Sequence, residues 1–400
     1  MGGWIPPFVM PFFIYGREYV SLEKFNKWVS FWGNAMSISE HKPETYGKNI
    51  SFRYPIYCPF NGDTIKVTLD NYCGTESISL NKASIKYKDR FYILKFSGND
   101  GVSIDRGDCV VSDELSIDLK AGDYIDVTIY FSDYTLLRSS VVATGPLSRG
   151  LFAVGDMTEE IDIPIEISRK TNIYYFLSNI SIKTEEKNRA VVCYGDSITA
   201  QDWPDYLTLL LKENGISDVS IIRRATSGSR ILREYDCITY ESYGLMGTKR
   251  FNHEVPTDGA ECVIIQQGIN DIIHPVGEDI NPFRPMTDLP TIDELIRGYT
   301  YYINEARKMG LKVYGGTLLP IEGWRTYALF REDLKNEFNE WIRNTVLLDG
   351  CIDFDLYIRD KNHISSFGEG YDSGDHLHPS KEGYKAMAKT AMDFLSKTMF

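Results

Sequence analysis

The sequence predicts an α/β protein: a three-layer domain on a parallel sheet, preceded by an N-terminal β-sandwich of jelly-roll type. Three observations predict it. Residues 1–183 hold many short runs in which apolar and polar side chains alternate. Residues 184–400 instead alternate apolar strands with longer helical patterns. The polar stretch Lys183-Thr184-Glu185-Glu186-Lys187-Asn188 separates the two and marks the domain boundary. Domains commonly run to ~100–200 residues, so a chain of 400 has room for two.

Period-two alternation is the mark of a half-buried strand. Ile65, Val67 and Leu69 show it, as do Ala83, Ile85 and Tyr87. Leu115, Ile117 and Leu119 follow, then Ile125, Val127, Ile129 and Phe131. Ile161, Ile163, Ile165 and Ile167 alternate strictly and predict another strand, as do Ile173, Tyr175 and Leu177. Turn residues such as Asn61-Gly62-Asp63 and Ala121-Gly122-Asp123 punctuate these runs. The N-terminal domain is expected to serve as a carbohydrate-binding module or as a lid over the active site, the lid suggested by residues 133–160, which with Gly145, Pro146, Gly150 and Gly155 read as loop-rich.

In the second half, strands are expected over 190–194, 219–222, 262–266, 311–319 and 351–354. Helices are expected over 204–214, with Asp202 as cap and Gly215 as stop, and over 292–309, 327–344 and 380–397. Repeated βα units imply a parallel sheet covered by helices on both faces. Ligands then bind beyond the carboxyl ends of the strands.

Composition narrows the function classes. The formal net charge is −13, from 43 basic and 56 acidic side chains. Such a balance repels phosphate backbones, so nucleic acid is not an expected partner. The N-terminus lacks a basic region, and Pro6, Pro7 and Pro11 interrupt its apolar residues. No signal peptide or membrane span is expected there. Seven cysteines without CxxC spacing, two of them (Cys193 and Cys262) inside apolar strands, favour a reduced cytoplasmic setting, with secretion the alternative if a leader has been cleaved. The 26 tyrosines suit sheet packing, and aromatic rings also serve sugar-facing surfaces. Nothing fixes the oligomeric state.

Four segments at predicted strand ends carry the chemistry. Gly195-Asp196-Ser197-Ile198-Thr199 puts a serine at a strand-to-helix turn, where backbone N–H groups face a developing oxyanion. Alone it is equally a capped turn. Ala225-Thr226-Ser227-Gly228-Ser229-Arg230 offers a backbone N–H with no Cβ in the way, or an ordinary turn. Gly268-Ile269-Asn270-Asp271 offers a side-chain amide, or an Asx turn. Asp375-His376-Leu377-His378-Pro379 places an aspartate three residues before a histidine it can orient. His376 and His378 invite a metal reading, but no third His or Cys at ligand spacing accompanies them. No metal or other cofactor is expected, and His376 is read as structural.

Taken together, Ser197, Gly228, Asn270 and Asp375/His378 arrive in the order of blocks that SGNH (GDSL-type) hydrolases show, and 184–400 resembles that superfamily. The resemblance implies a flavodoxin-like sheet and a serine esterase. It makes Ser197 the nucleophile, His378 the general acid/base and Asp375 its orienting partner. It makes the Ser197 N–H, Gly228 and Asn270 the oxyanion hole, with Asp196 and Asp271 structural. Lys27-Trp28-Val29-Ser30-Phe31-Trp32-Gly33, Thr68-Leu69-Asp70-Asn71-Tyr72-Cys73-Gly74-Thr75, Gly268-Ile269-Asn270-Asp271-Ile272 and the segment from Tyr371 to Pro379 look like a two-domain subgroup related to xylan and mannan O-acetylesterases. The expected substrate is therefore an acetylated plant cell-wall oligosaccharide. A small-acyl lipase, arylesterase or thioesterase is the alternative enzyme, and a non-catalytic carbohydrate-binding protein the alternative of another class. Trp324 is a candidate sugar platform or a packing anchor. Arg230 and Arg284 are candidates for substrate oxygens, and His274 for the border of the site.

Overall fold

The alternating runs form antiparallel ladders. The chain is represented by a computed structural model that describes Met1, 24–38, 45–234 and 243–399. Beyond Met1, the N-terminal prolines and apolar residues read above as no signal peptide lie outside the described residues, as does Cys237. The strands of the N-terminal region include β1 (Lys27–Gly33), β2 (Ile50–Tyr57), β3 (Gly62–Asp70), β4 (Lys82–Tyr87), β5 (Tyr124–Phe131), β6 (Gly150–Val154) and β7 (Leu177–Thr184). One sheet runs β1-β7-β3, with Cys109–Val111 and Leu115–Leu119 both pairing with β3. The other runs Ser168–Thr171, β6, β2, β5, β4 and Arg90–Ile93. Ile65, Val67 and Leu69 from the first and Ile125, Val127 and Ile129 from the second lie in one apolar core. Phe52 against Tyr175 and Phe131 against Phe176 add ring contacts with centroids at 4.6 and 5.3 Å.

The second half forms β8 (Arg189–Gly195), β9 (Val219–Ala225), β10 (Ala260–Gln266), β11 (Lys312–Gly316) and β12 (Gly350–Ile352). Their order is β9-β8-β10-β11-β12, and every pair is parallel. The helices are α1 (Ser197–Ala200), α2 (Trp203–Glu213), α3 (Gly247–Glu254), α4 (Ile269–Ile273), α5 (Ile292–Lys308), α6 (Leu329–Asn344), α7 (Phe354–Ile358) and α8 (Lys381–Thr398). α2 and α7 pack on α8, while α5 packs with α3 and α6, giving a second helical layer. This is the SGNH-type α/β fold. The strand order reverses at β8, so chain leaves its carboxyl end in opposite directions and opens a crevice there. α5 begins with a capping box in which Thr291 and Glu294 satisfy each other's backbone N–H groups. In α8 the Ser380 side chain accepts from Gly383 N–H.

Several expectations are corrected. Ile161–Ile167 is no strand: Ile165–Ile167 forms a single 3₁₀ turn, and Ile165 is 79% exposed. Pro164 lacks an N–H for a ladder, and the carbonyls of Met157, Glu160 and Ile161 all accept from the buried Arg53 guanidinium instead. Residues 133–160 are not a free lid. They contain the strands Thr135–Leu136 and Ser139–Val142 and then β6, which lies inside its sheet. Asp202 does not cap α2 with its side chain; its carboxylate accepts from Thr144 Oγ1 at 2.7 Å. Alternation by itself cannot tell a ladder from an exposed turn, because it carries no record of where backbone carbonyls find donors.

The two regions share a broad seam. Antiparallel pairing ends at Thr184 and parallel pairing begins at Arg189. β1 lies along β9, the edge of the parallel sheet, and Ser220 Oγ donates to Ser30 O at 2.6 Å. Covering that edge removes a surface open to strand addition. At the same seam the Arg223 guanidinium meets Asp205 of α2 at 2.5 Å, both side chains nearly buried. Asp205 also accepts from Leu147 N–H and Ser148 Oγ. Removing one partner of a buried pair strands the other charge and typically costs ~3–5 kcal/mol. Asp205→Ala is therefore expected to lower the urea unfolding free energy by about that amount; a loss of ~0.5 kcal/mol or less, the scale of an exposed pair, would show that the pair does not hold the seam.

Candidate active site

Each chemical group sits on a loop at the carboxyl edge of the parallel sheet. β8 ends at Gly195, where a Cβ would lie 2.5 Å from Gln266 O, so only glycine lets β8 and β10 close up here. The Asp196 carboxylate then accepts from Ile198 N–H at 3.1 Å and caps α1. Ser197 is the first residue of that helix and 8% exposed. After β9, Gly228 adopts φ +75°, and a Cβ there would strike the Tyr243 ring at 2.2 Å. After β10, Asn270 Nδ2 donates to Ser229 O at 3.1 Å, which leaves the amide its second N–H. The Asp271 carboxylate accepts from Ile231 N–H at 2.8 Å and Leu232 N–H at 3.1 Å. The third loop thus holds the second in place.

The fourth loop closes the site. Asp375 Oδ1 accepts from the N–H groups of Leu377 and His378, at 2.9 and 2.8 Å. Its Oδ2 meets His378 Nδ1 at 2.7 Å. His378 Nε2 lies 2.9 Å from Ser197 Oγ. Partial burial raises the Asp375 carboxyl, but the His378 ring and these backbone donors outweigh it and hold it at about 2. An ionised carboxylate can only accept, so the Nδ1 proton is fixed toward it and the Nε2 lone pair faces the serine. His376, at φ +63°, is tied to Asp372 by both its ring and its N–H, which supports the structural reading. The Trp324 ring stands edge-on to His378, with centroids at 6.5 Å.

The other candidates take different places. Arg230 is 2% exposed and pairs with Asp288 at 3.1 Å, so it is a scaffold group, not a surface contact for substrate oxygens. Arg284, 7% exposed, donates through Nε to His274 O. His274 is buried against the Tyr243 ring; burial and the charges of Arg284, Arg230 and Arg325 drive its pKa well down and keep it neutral. It is a buried residue at the end of α4 and not a surface loop residue. Among the described residues, no group of three His, Cys, Asp or Glu side chains is placed to hold a metal ion. No helix among them is long and apolar enough to cross a membrane.

Sequence reasoning missed Arg250. It lies on α3, which no motif announced, and is 1% exposed. Its guanidinium donates to Gly195 O at 2.7 Å, Arg224 O at 3.3 Å and Ser229 Oγ at 3.3 Å, and pairs with Glu254. Gln267 Nε2 reaches the same Ser229 hydroxyl at 3.0 Å.

A nucleophile-bearing turn facing a histidine–aspartate pair, on a sheet of this order, defines the class of serine acylhydrolases. Residues 193–386 match the GDSL-like lipase/acylhydrolase family. No curated protein matches the chain. Among solved structures, a GDSL-like lipase from Bacteroides thetaiotaomicron VPI-5482 is 18% identical over 54% of this chain and 91% of its own, with TM-score 0.39. An acetylxylan esterase from Geobacillus stearothermophilus is 16% identical over 53% of this chain and 94% of its own, with TM-score 0.38.

The buried carboxyls beside the nucleophile predict a pH effect on stability. Burial raises Asp196 to about 7, against the pull of Ile198 N–H, and raises Asp271 to about 6. The folded state then binds more protons than the unfolded chain between pH ~4 and 7, so stability falls as pH rises through that window. For Asp196 the loss is on the order of 4 kcal/mol. Asp196→Asn keeps an acceptor for Ile198 N–H and removes the titration. Its urea midpoint is expected to fall less than the wild-type midpoint between pH 5 and pH 8. Equal falls would mean that Asp196 is not a buried, elevated carboxyl.

Proposed function

We propose that this chain is a serine O-acetylesterase that removes acetyl groups from plant cell-wall polysaccharides or oligosaccharides, xylan or mannan, through an acyl-enzyme on Ser197. The observation that carries the chemistry is the pair of contacts running from Ser197 Oγ to His378 Nε2 at 2.9 Å and from His378 Nδ1 to Asp375 Oδ2 at 2.7 Å. His378 takes the serine proton as Ser197 Oγ adds to the ester carbonyl. The oxyanion is held by the N–H groups of Ser197 and Gly228 and by the Asn270 amide. The C–O bond to the sugar breaks, and the alcohol leaves with the proton from His378. Water, activated by His378, then releases acetate and restores the serine.

The acetyl and sugar assignment rests on the subgroup resemblance and on Trp324, whose half-buried ring stands beside the general base. In the same reading the chain divides at 183/184, and the N-terminal part is a jelly roll that supports the site. Arg224, three residues after which comes Ser227, donates to Asn34 O, Ser178 O and Asn179 Oδ1, all N-terminal groups.

Ser197→Ala is expected to abolish turnover of p-nitrophenyl acetate with the circular dichroism spectrum unchanged; full activity in that variant would refute the nucleophile. Asn270→Ala is expected to lose ~100–1000-fold in kcat, the usual cost of one oxyanion donor. Activity is expected to fall sharply from p-nitrophenyl acetate to the octanoate. Retained octanoate activity would favour the lipase alternative. Mass spectrometry of acetylated xylan and mannan oligosaccharides before and after treatment identifies the carrier, through loss of acetyl mass.

A further inference from the structure

A groove of 660 Å³ opens next to Trp324, between the chain that follows α4 and the start of α6. Its walls include Tyr327, Phe330 and Ile280, and its polar lining includes Arg284, Arg325 and Arg331. Two features set it apart. The first is its link to the catalytic histidine: the Arg325 guanidinium lies 4.5 Å over the Trp324 ring, and that ring meets His378 edge-on.

The second is its charge. Arg331 is 4% exposed, and among the described residues its terminal nitrogens donate only to the carbonyls of Ile272 and Pro275 and to Met286 Sδ. Its buried Nε has no hydrogen-bond partner. Among the described residues, no carboxylate pairs with Arg331 or with the exposed Arg325. The Arg284 charge adds to the strain and helps lower the Arg331 pKa, after burial. A buried guanidinium such as that of Arg331 is costly without an acid beside it, and an anion arriving in the groove relieves that cost. These guanidinium groups are all the more conspicuous in a chain with net charge −13.

We propose that this groove binds the sugar portion of the substrate and selects for a carboxylate on it, that is, for acetylated oligosaccharides bearing a uronic acid. This rests on the esterase reading above. An acetyl group leaves such a volume unfilled, and a longer apolar acyl chain would cover the Arg325 and Arg331 charges without supplying an acid. Pyranose rings suit the Tyr327 and Phe330 faces, and a uronate supplies the missing negative charge. Phe330 is 47% exposed, which keeps its ring open to a ligand.

The test is titration calorimetry on Ser197→Ala with two xylo-oligosaccharides of equal length, one neutral and one bearing a glucuronic acid. The acidic oligosaccharide is expected to bind about tenfold more tightly, the scale of one charge-assisted contact. The preference should shrink toward parity when Arg325→Gln is added, and also in 0.5 M NaCl, where exposed charges are screened to within roughly 4 Å. Phe330→Ala should weaken both ligands. Glucuronic acid alone separates a free-carboxylate site from a glycan groove: it should bind far more weakly than the decorated oligosaccharide. Equal binding of the two oligosaccharides, or a preference untouched by Arg325→Gln, would overturn the proposal. The esterase reading is judged separately, by p-nitrophenyl acetate hydrolysis in the unmodified protein.

Discussion

The buried guanidinium of Arg250 sets the geometry on which the site depends. It gathers Gly195 O from the nucleophile strand, Arg224 O from the next strand and the Ser229 hydroxyl beside Gly228. Gly195 closes the first βα unit, whereas Arg224 and Ser229 belong to the second, and Arg250 adds a side-chain tie where the β8–β9 ladder ends with Thr226 N–H on Gly195 O at 3.2 Å. Glu254 neutralises the charge, and the Tyr194 ring faces the guanidinium at 4.4 Å. A buried ion pair adds little net stability, because desolvation offsets the attraction. What it adds is direction: five donors in a rigid fork accept one arrangement of acceptors. The position of Ser197 relative to Gly228 follows from that arrangement.

The same helix ties the N-terminal sheets to the site. His253, beside Glu254 on α3, meets Asp70 of β3 at 2.7 Å and stacks on Tyr72 with ring centroids at 3.8 Å. Arg224 repeats the link through Asn34, Ser178 and Asn179. The antiparallel region therefore bears on the carboxyl edge of the parallel sheet from behind. The histidine–aspartate pair sits on the 372–379 loop, the most exposed of the four. Its precision comes from local bonds: Asp375 is held by two backbone donors and by Ser373 Oγ before it orients the ring.

Much of this was legible in the sequence, for a physical reason. Parallel strands are buried on both faces, so Val191, Val192, Cys193 and Tyr194 read as an unbroken apolar run, with the chemical residues just beyond its end. Gly195, Gly228 and the Asp-x-x-His spacing are local signals set by backbone geometry. The failures came from interactions between distant residues. The Ile161–Ile167 alternation looked like a strand because nothing local says that Arg53 takes the neighbouring carbonyls. Arg230 looked available because its partner Asp288 is far away in sequence. Arg250 gave no signal, since a buried arginine is defined by the acceptors that surround it. Asp202 could be recognised as a cap by type, yet its carboxylate is engaged by Thr144.

The proposed chemistry requires that Ser197 form a covalent bond to the acyl group. Rapid-quench peptide mass mapping during p-nitrophenyl acetate turnover tests this directly. The predicted result is an acetyl group on the peptide containing Ser197, accompanied by a burst of p-nitrophenol stoichiometric with protein. Acetyl found on another residue, with the Ser197 peptide unmodified, would contradict it.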